Sequence, residues 1–208
     1  MTLSRRLLAA AAALLAAAAP AAAQDIAGVR AFTLGVRGGA SVPIGDLAET
    51  GEEGGNATTG FNVAGMLTFA PPALPVALRV EVGYDRFGTD LDLDVFGPDA
   101  ENVDANWSVV SGTANAVLGL GGVGVRPYLI GGVGVYRYEL KVSGDDGEGG
   151  TVSFAFDDTD IGVNGGLGLR FGLGALNTFV EARVHHIFAE EALQFVPISV
   201  GLELRGDR

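Results

Sequence analysis

The sequence predicts an all-β protein, an eight-stranded up-and-down antiparallel transmembrane β-barrel. Three observations support this fold class. Apolar and polar residues alternate with period two through eight segments, which is typical of strands. Glycine accounts for 33 of the 208 residues, about twice the usual share of ~7%. Charged residues make up only 18% of the chain, with Lys141 as the single lysine, whereas a soluble surface usually carries ~25–35%.

Residues 1–23 have the features of a secretory signal peptide. Arg5 and Arg6 give a positive start, an apolar run of 13 residues covers 7–19, and Ala21-Ala22-Ala23 is a small-residue cleavage site. The run is shorter than the ~18 residues of a membrane helix, and a signal anchor is the alternative. We therefore expect export through the Sec pathway, with residues 24–208 forming the outer-membrane barrel domain. The chain has no cysteine, which excludes a disulfide framework.

The predicted strands are joined by connections that alternate between long and short. Each strand is long enough to cross a bilayer at the usual tilt, which takes about 9–11 residues. In a meander, alternate connections lie at one end, so the short ones share an end with both termini and the long ones are expected outside the cell. The predicted strands are 31–41, 59–70, 76–87, 107–119, 126–139, 160–171, 177–188 and 194–205. The long connections are 42–58, 88–106 and 140–159, with a smaller one at 189–193.

The polar face of these strands is expected to point into the barrel. An arginine on the lipid-facing side at the bilayer midplane costs ~2–4 kcal/mol, and five of them would exceed the stability of a domain. Spacings such as Arg79-x-Glu81 place both charges on one face. Since eight strands leave room only for side chains, we expect a salt-bridged interior, with a narrow polar channel as the alternative. The predicted lumen charge network is Arg37, Arg79, Glu81, Arg170, Glu181, Arg183, Glu203 and Arg205.

Alternation alone also fits a soluble, lipocalin-like carrier, in which the apolar face points inward. Two further features favour the membrane. The residues between the charges on the polar face are small, which suits a narrow lumen. Tyr128 lies near the short-turn end of the fifth segment, and Tyr136 and Tyr138 lie near its long-loop end. This spacing predicts an aromatic girdle at both membrane interfaces.

Several stretches resemble a known group of proteins. They are 39–47 (GASVPIGDL), 127–136 (PYLIGGVGVY), 163–171 (VNGGLGLRF) and 195–202 (FVPISVGL). In this pattern the chain is similar to the small eight-stranded outer-membrane barrels, which include the OmpA transmembrane domain, OmpX and the OmpW group. The resemblance implies a bacterial outer-membrane location and a monomer. Such barrels usually end on an aromatic residue read by the assembly machinery, whereas this chain ends Leu204-Arg205-Gly206-Asp207-Arg208.

The long connections carry most of the acidic residues. Residues 42–58, 88–106, 140–158 and 189–193 together contain 17 acids and one base. Acidic, glycine-rich loops are usually hydrated segments. The alternative is that they bind Ca²⁺ or Mg²⁺, because hard cations favour carboxylate oxygens. The weak candidates for calcium ligands are Asp90, Asp92, Asp94, Asp157, Asp158 and Asp160, and neither cluster matches an EF-hand loop.

No residue set predicts catalysis. His185 and His186 are the only histidines, too few for a zinc site. The lipid A deacylase barrels carry a serine two residues after the histidine, where this chain has Phe188. We therefore expect no enzyme, no catalytic residue and no cofactor.

The sequence favours a structural or surface-interaction role in the cell envelope. The expected partners are outer-membrane lipid and lipopolysaccharide, with the secretion and barrel-assembly machinery in transit, and the acidic charge disfavours nucleic acid. A porin-like or OmpW-like passive channel for small or apolar solutes is the alternative. The OmpW type of conduit needs an apolar lumen, and the inward faces here are charged.

Overall fold

The computed structural model describes residues 32–50, 54–71, 75–89, 104–145, 151–173 and 176–205. These residues form a closed antiparallel barrel in which each strand pairs with the next and β8 pairs with β1. The predicted all-β, eight-stranded up-and-down fold is confirmed. No helix in the described part of the chain is long and apolar enough to cross a membrane. The strands are β1 Phe32–Ile44, β2 Ala57–Phe69, β3 Val76–Thr89, β4 Asp104–Gly119, β5 Val125–Asp145, β6 Thr151–Leu173, β7 Leu176–Ile187 and β8 Leu193–Arg205, with a 3₁₀ turn at Gly45–Leu47 after β1.

The two ends of the barrel differ in their connections. The turn end carries the β2–β3, β4–β5 and β6–β7 connections, and the loop end carries the other four. The β4–β5 turn contains Gly121, Gly122 and Gly124, all with positive φ, a backbone conformation that glycine adopts without steric cost. This turn can therefore stay short.

The β5–β6 hairpin is longer than the sequence predicted. Residues 140–159 were expected to be a loop, but β5 continues to Asp145 and β6 begins at Thr151. The two strands stay paired from Val125 opposite Phe171 to Asp145 opposite Thr151. The prediction was wrong because the acids of this segment were taken as a loop signal. Between them stand β-branched and aromatic residues, which favour strands.

Opposite faces of the strands differ in chemistry. The outer wall is apolar: Leu34, Val80, Val133, Leu167 and Val200 are between 54% and 62% exposed. Inward-pointing residues of these strands include buried charged and amide side chains, which are Arg37, Arg79, Glu81, Asn164 and Glu203. A continuous apolar outer wall suits contact with lipid and is too extensive for a monomeric soluble protein.

The predicted tyrosine girdle is wrong. Tyr128 and Tyr136 point into the barrel, at 2% and 0% exposure, and the Tyr138 hydroxyl donates to Asp160 at 2.9 Å. In β5 the even-numbered residues face inward, so all three tyrosines share the inward phase. The outer wall carries other aromatic rings, which are the Phe32–Phe69 pair towards the turn end and the Phe61–Tyr84 pair towards the loop end.

Inward glycines make room for large inward side chains. A Cβ added at Gly168 would overlap the ring of Tyr128, and one added at Gly201 would overlap the ring of Phe179. Since a barrel of eight strands has an interior about one side chain deep, a bulky residue on one strand requires a missing side chain on its neighbour. This requirement accounts for part of the high glycine content.

We predict that Gly168→Val destabilises the barrel by about 1–3 kcal/mol, because overpacking forces Tyr128 off its position. Gly65 is the matched control, since it faces outward and a Cβ there meets nothing within 4 Å. Gly65→Val should change stability by less than about 0.5 kcal/mol. Urea unfolding in lipid vesicles measures both.

If Gly168→Val does not fold at all, the double variant Gly168→Val with Tyr128→Ala tests whether the overlap of these two side chains is the cause. It should be less destabilised than the sum of the two single changes, because residues in contact are not additive. Strict additivity, or equal effects at Gly65 and Gly168, would contradict the packing argument.

Candidate functional site: the barrel interior and its two ends

The interior contains a chain of ion pairs that begins near the turn end with Arg79. Its guanidinium lies 2.8 Å from Glu181 Oε2 and 3.1 Å from Glu203 Oε1. Arg170 Nε lies 2.9 Å from the second oxygen of Glu203. The Tyr128 hydroxyl donates to Glu181 Oε2 at 2.7 Å. Arg79 is fully buried, so both of its carboxylate partners are needed to compensate for lost hydration.

A second group lies nearer the middle of the barrel, around Glu81. Arg37 donates to Glu81 Oε1 through Nε at 3.1 Å and through Nη2 at 2.8 Å. Arg183 Nη2 contacts the same oxygen. Arg37 Nη1 donates to Asn62 Oδ1 and to Ser199 Oγ, both at 2.8 Å. Side chains from five strands therefore meet around one carboxylate.

Arg183 joins the two groups, because its Nε lies 2.9 Å from Glu181 Oε1. Towards the loop end, Ser41 donates a hydrogen bond to Asp85. Charge in this part of the interior is balanced among the described side chains, which is what low water content demands. The four cations are Arg37, Arg79, Arg170 and Arg183, and the four acids are Glu81, Asp85, Glu181 and Glu203.

An apolar cluster fills the interior towards the turn end. Phe179 is fully buried there, and the guanidinium carbon of Arg79 lies 5.5 Å from the centre of its ring. Arg170 lies 5.1 Å from the ring of Tyr128. Cation–π contacts of this kind add to the ion pairs. The buried members of the cluster are Met66, Val117, Tyr128, Ile130 and Phe179.

A larger apolar cluster closes the loop end. Phe87 and Phe195 meet edge to face at 5.4 Å between ring centres, and the His185 ring stacks on Phe195 at 4.9 Å. Leu47, on the 3₁₀ turn after β1, folds into this cluster and is 1% exposed. Fully buried side chains therefore lie at both ends of the described interior, with ion pairs between them.

The β1–β2 connection is held over the loop end by hydrogen bonds. Trp107 Nε1 of β4 donates to the carbonyl of Gly55 at 2.9 Å. Gly55 N donates to the carbonyl of Asp46 at 2.9 Å, and Asn56 N donates to that of Glu49 at 3.0 Å. These bonds fix the position of Leu47 in the cluster.

The structure brings together seven of the eight residues predicted for the lumen network. The side chain of the eighth, Arg205, lies outside the described part. The spacing of the charged residues along each strand identified the face that they share, but it did not identify their ion-pair partners. Arg79 and Glu81 bind side chains of other strands. Of the spaced pairs predicted for the lumen, Glu181 and Arg183 do pair along one strand.

Of the weak calcium candidates, the structure describes Asp157, Asp158 and Asp160, and these three do not share one face of β6. Asp90, Asp92 and Asp94 lie outside the described residues. Asp157 pairs with Arg137 at 2.6 Å, and Asp158 and Asp160 belong to the opposite face of β6. Among the residues that the structure describes, no group of three or more His, Cys, Asp or Glu could hold a metal ion.

The two histidines occupy different environments. His185 is buried in the lumen, with its Nδ1 3.0 Å from the Tyr136 hydroxyl. His186 is on the outer wall, where its ring packs edge to face with Phe188. The two therefore do not form a pair.

Small uncharged residues were expected between the charges on the inward face, and Ser199 shares that face with Glu203. The hydrogen bonds of Asn62 and Ser199 to Arg37 and the inward aromatic side chains were not predicted. The alternation along the strands did indicate that these aromatic residues face inward. Phe87 lies on the same face of its strand as Glu81, Phe179 on the same face as Glu181, and Phe195 on the same face as Ser199. The expectation of a polar lumen led us to overlook apolar residues in the inward phase.

A closed eight-stranded barrel with an apolar outer wall and a charge-balanced interior defines a small membrane β-barrel protein. The chain belongs to the outer membrane protein beta-barrel domain family, whose model matches residues 9–205. This membership indicates the bacterial outer membrane. A comparison with curated protein sequences gives no match.

Solved structures of small outer-membrane proteins are similar in fold. Neisserial surface protein A is 16% identical with a TM-score of 0.51, over 84% of this chain and 97% of that one. Ail, the attachment invasion locus protein of Yersinia pestis, is 16% identical with a TM-score of 0.51, over 85% and 99%. A major outer membrane protein of Thermus thermophilus is 13% identical with a TM-score of 0.58, over 84% and 99%.

We predict that Glu81→Gln destabilises the barrel by about 3–5 kcal/mol, because Arg37 and Arg183 lose their shared buried carboxylate. The matched control is Asp157→Asn, which removes the exposed pair with Arg137 and should cost less than about 1 kcal/mol. Urea unfolding in lipid vesicles gives both values. Raising the salt concentration should weaken only the exposed pair, since buried pairs are screened little. Similar small losses in both variants would show that Glu81 does not hold the interior together.

Proposed function

We propose that this protein is a closed outer-membrane barrel that anchors a surface β-hairpin, and that the hairpin binds an extended, basic polypeptide. One observation carries the proposal: β6 is paired on both sides only in its barrel portion. It pairs with β5 from Thr151 to Phe171, but its pairing with β7 starts at Gly162. Among the described residues, 151–161 therefore have a strand neighbour on one side only.

The free edge of β6 is long. Residues 151–161 extend roughly 30 Å along the strand at ~3.3 Å per residue. Apart from Phe188 N, which donates to the carbonyl of Ile161 at 3.0 Å, no described residue beyond β5 pairs with this backbone. An exposed edge presents unpaired N–H and C=O groups, which bind another extended chain by strand addition.

The negative charge of the β6 edge determines which kind of extended polypeptide can bind to it. The edge strand carries Asp157, Asp158 and Asp160, of which only Asp157 is in an ion pair with another described residue. Two copies of this edge would place like charges opposite each other, which disfavours pairing. A basic extended segment would instead find both backbone partners and opposite charges.

The barrel interior supports a role as anchor rather than conduit. Its charges are compensated, and apolar clusters occupy both ends. An OmpW-like route for apolar solutes would need an apolar lumen, whereas the centre of this one carries the ion pairs of Arg37, Arg79 and Arg183.

We expect purified, refolded protein to show no conductance steps in planar lipid bilayers, because buried apolar clusters occupy both ends of the described interior and ion pairs lie between them. The variant with Phe87→Ala and Phe195→Ala, which opens the loop end, should still be closed by the ion pairs and Phe179. Discrete steps from the unaltered protein would contradict the closed interior.

A labelled peptide of alternating Val and Lys should bind the protein in nanodiscs, as measured by fluorescence anisotropy. The variant Asp158→Asn with Asp160→Asn should bind more weakly, because it keeps the edge and removes two charges that lack a cationic partner among the described residues. We expect a loss of about tenfold, since removing two exposed charge contacts amounts to ~1–2 kcal/mol.

Two controls distinguish binding at the β6 edge from unspecific electrostatic attraction between a basic peptide and an acidic protein. A peptide of alternating Val and Glu should not bind. A variant in which residues 140–158 are replaced by a Gly-Asn turn should keep the heat-dependent gel mobility of a folded barrel but lose the peptide. Equal binding of both peptides, or binding by the shortened barrel, would overturn the proposal.

A further inference from the structure

A groove runs along β4 on the lipid-facing wall. The outward residues at its centre are small, Gly112 and Ala114, whereas their neighbours in β3 and β5 are valines. Gly112 is opposite Val82 and Val135, and Ala114 is opposite the next valine on each side. The groove is part of a wider concavity of about 590 Å³, which extends across β5 to Ile161, Val163 and Phe188.

The groove has the dimensions of one hydrocarbon chain. β3 and β5 are two strand spacings apart, about 10 Å, and their valines form the walls. A Cβ at Gly112 would meet nothing within 4 Å, so the floor is open to the membrane. Because the groove follows a membrane-crossing strand on the outer wall, it faces the hydrocarbon layer in which lipid acyl chains lie.

Cationic side chains lie at the loop end of this groove. Arg86 of β3 is opposite Ser108, and Arg137 of β5 is opposite Val110. Arg86 is exposed and has no ion-pair partner among the described residues. It also lines a second cavity, of about 520 Å³, together with Phe61, Asn106 and Ser143. Along β4 this second cavity, at Ala105 and Asn106, lies beyond the apolar groove towards the loop end, with residues 107–111 between the two.

We propose that this wall binds one phosphate-bearing membrane lipid, with an acyl chain in the groove and the phosphate on Arg86. Arginine donates two parallel hydrogen bonds to a phosphate, which makes it well suited to this contact. The acids nearby are already paired, Glu139 with Lys141 at 3.0 Å and Asp157 with Arg137. Arg86 therefore has no competing partner among the described residues.

The position of Arg86 is consistent with the headgroup level of a bilayer. An arginine on the lipid face costs ~2–4 kcal/mol at the midplane but only ~0–1 kcal/mol near the interface. Phe61 and Tyr84 on the adjacent outer wall have the aromatic character of that level. The inference rests on the outer-membrane part of the proposed function and not on the β6 edge.

Native mass spectrometry of the detergent-solubilised protein tests the site with phosphatidic acid, phosphatidylcholine and diacylglycerol. One phosphatidic acid should be retained more tightly than the other two lipids. In Arg86→Gln this preference should fall about tenfold, the effect of losing one charge-assisted hydrogen bond. Gly112→Leu, which fills the groove floor, should weaken the retention of all three lipids.

Gly65→Leu is the matched control, because Gly65 is another outward glycine with open space around it. It should retain lipid as the unaltered protein does. Inorganic phosphate should not displace phosphatidic acid; if it does, the site binds a free anion and the lipid proposal fails. Unchanged retention in Gly112→Leu, or unchanged preference in Arg86→Gln, would also overturn it. Heat-dependent gel mobility shows whether each variant is a folded barrel. Because the lipid site does not include the β6 edge, lipid retention and peptide binding can fail independently of each other.

Discussion

Closing eight strands into a barrel leaves an interior only about one side chain deep, and the rest of this structure depends on that constraint. Tyr128 fits because Gly168 lies opposite it, and Phe179 fits because Gly201 does. The same narrowness brings charges from different strands within reach of one another. Arg37 and Arg183, for example, meet at Glu81 across the interior. A composition rich in glycine and poor in lysine follows from this geometry, since arginine makes several directed hydrogen bonds where lysine acts as a point charge.

The narrow interior also explains why the buried charges are paired with opposite charges. Water is largely excluded, so each buried charge needs an opposite charge and hydrogen bonds. Arg79 has two carboxylates and two aromatic rings around it. The apolar clusters at both ends protect these pairs from solvent. The interior side chains therefore serve stability, and the contacts that we propose with a peptide and a lipid lie outside the interior.

Much of this architecture could be predicted from period two alone, because one residue of shift would move the buried Arg37, Arg79 and Arg183 into lipid. The identity of the ion-pair partners could not. Arg79 and Glu81 are adjacent on one face, but Arg79 binds Glu181 and Glu203 from strands about a hundred residues away in sequence, and only the barrel stagger decides which side chains meet. The tyrosines of β5 were misplaced because an interfacial role was assumed from residue type, although Tyr128 shares the inward phase. The β5–β6 hairpin was missed because its acids concealed strand-forming residues between them.

The length of β6 connects the fold to its proposed roles. A strand that only had to cross the membrane could stop near Ile161, where β7 ends its pairing. Continuing to Thr151 creates an edge that the barrel itself does not need and that is normally a liability. Acidic residues on this edge oppose self-pairing while leaving the backbone available to a basic chain. On β4 the outward residues Gly112 and Ala114 are smaller than their neighbours, and this difference in size opens the groove on the membrane side of Arg86. In both places the departure from a uniform wall lies outside the crowded interior, where side chains are free to vary without disturbing the ion pairs.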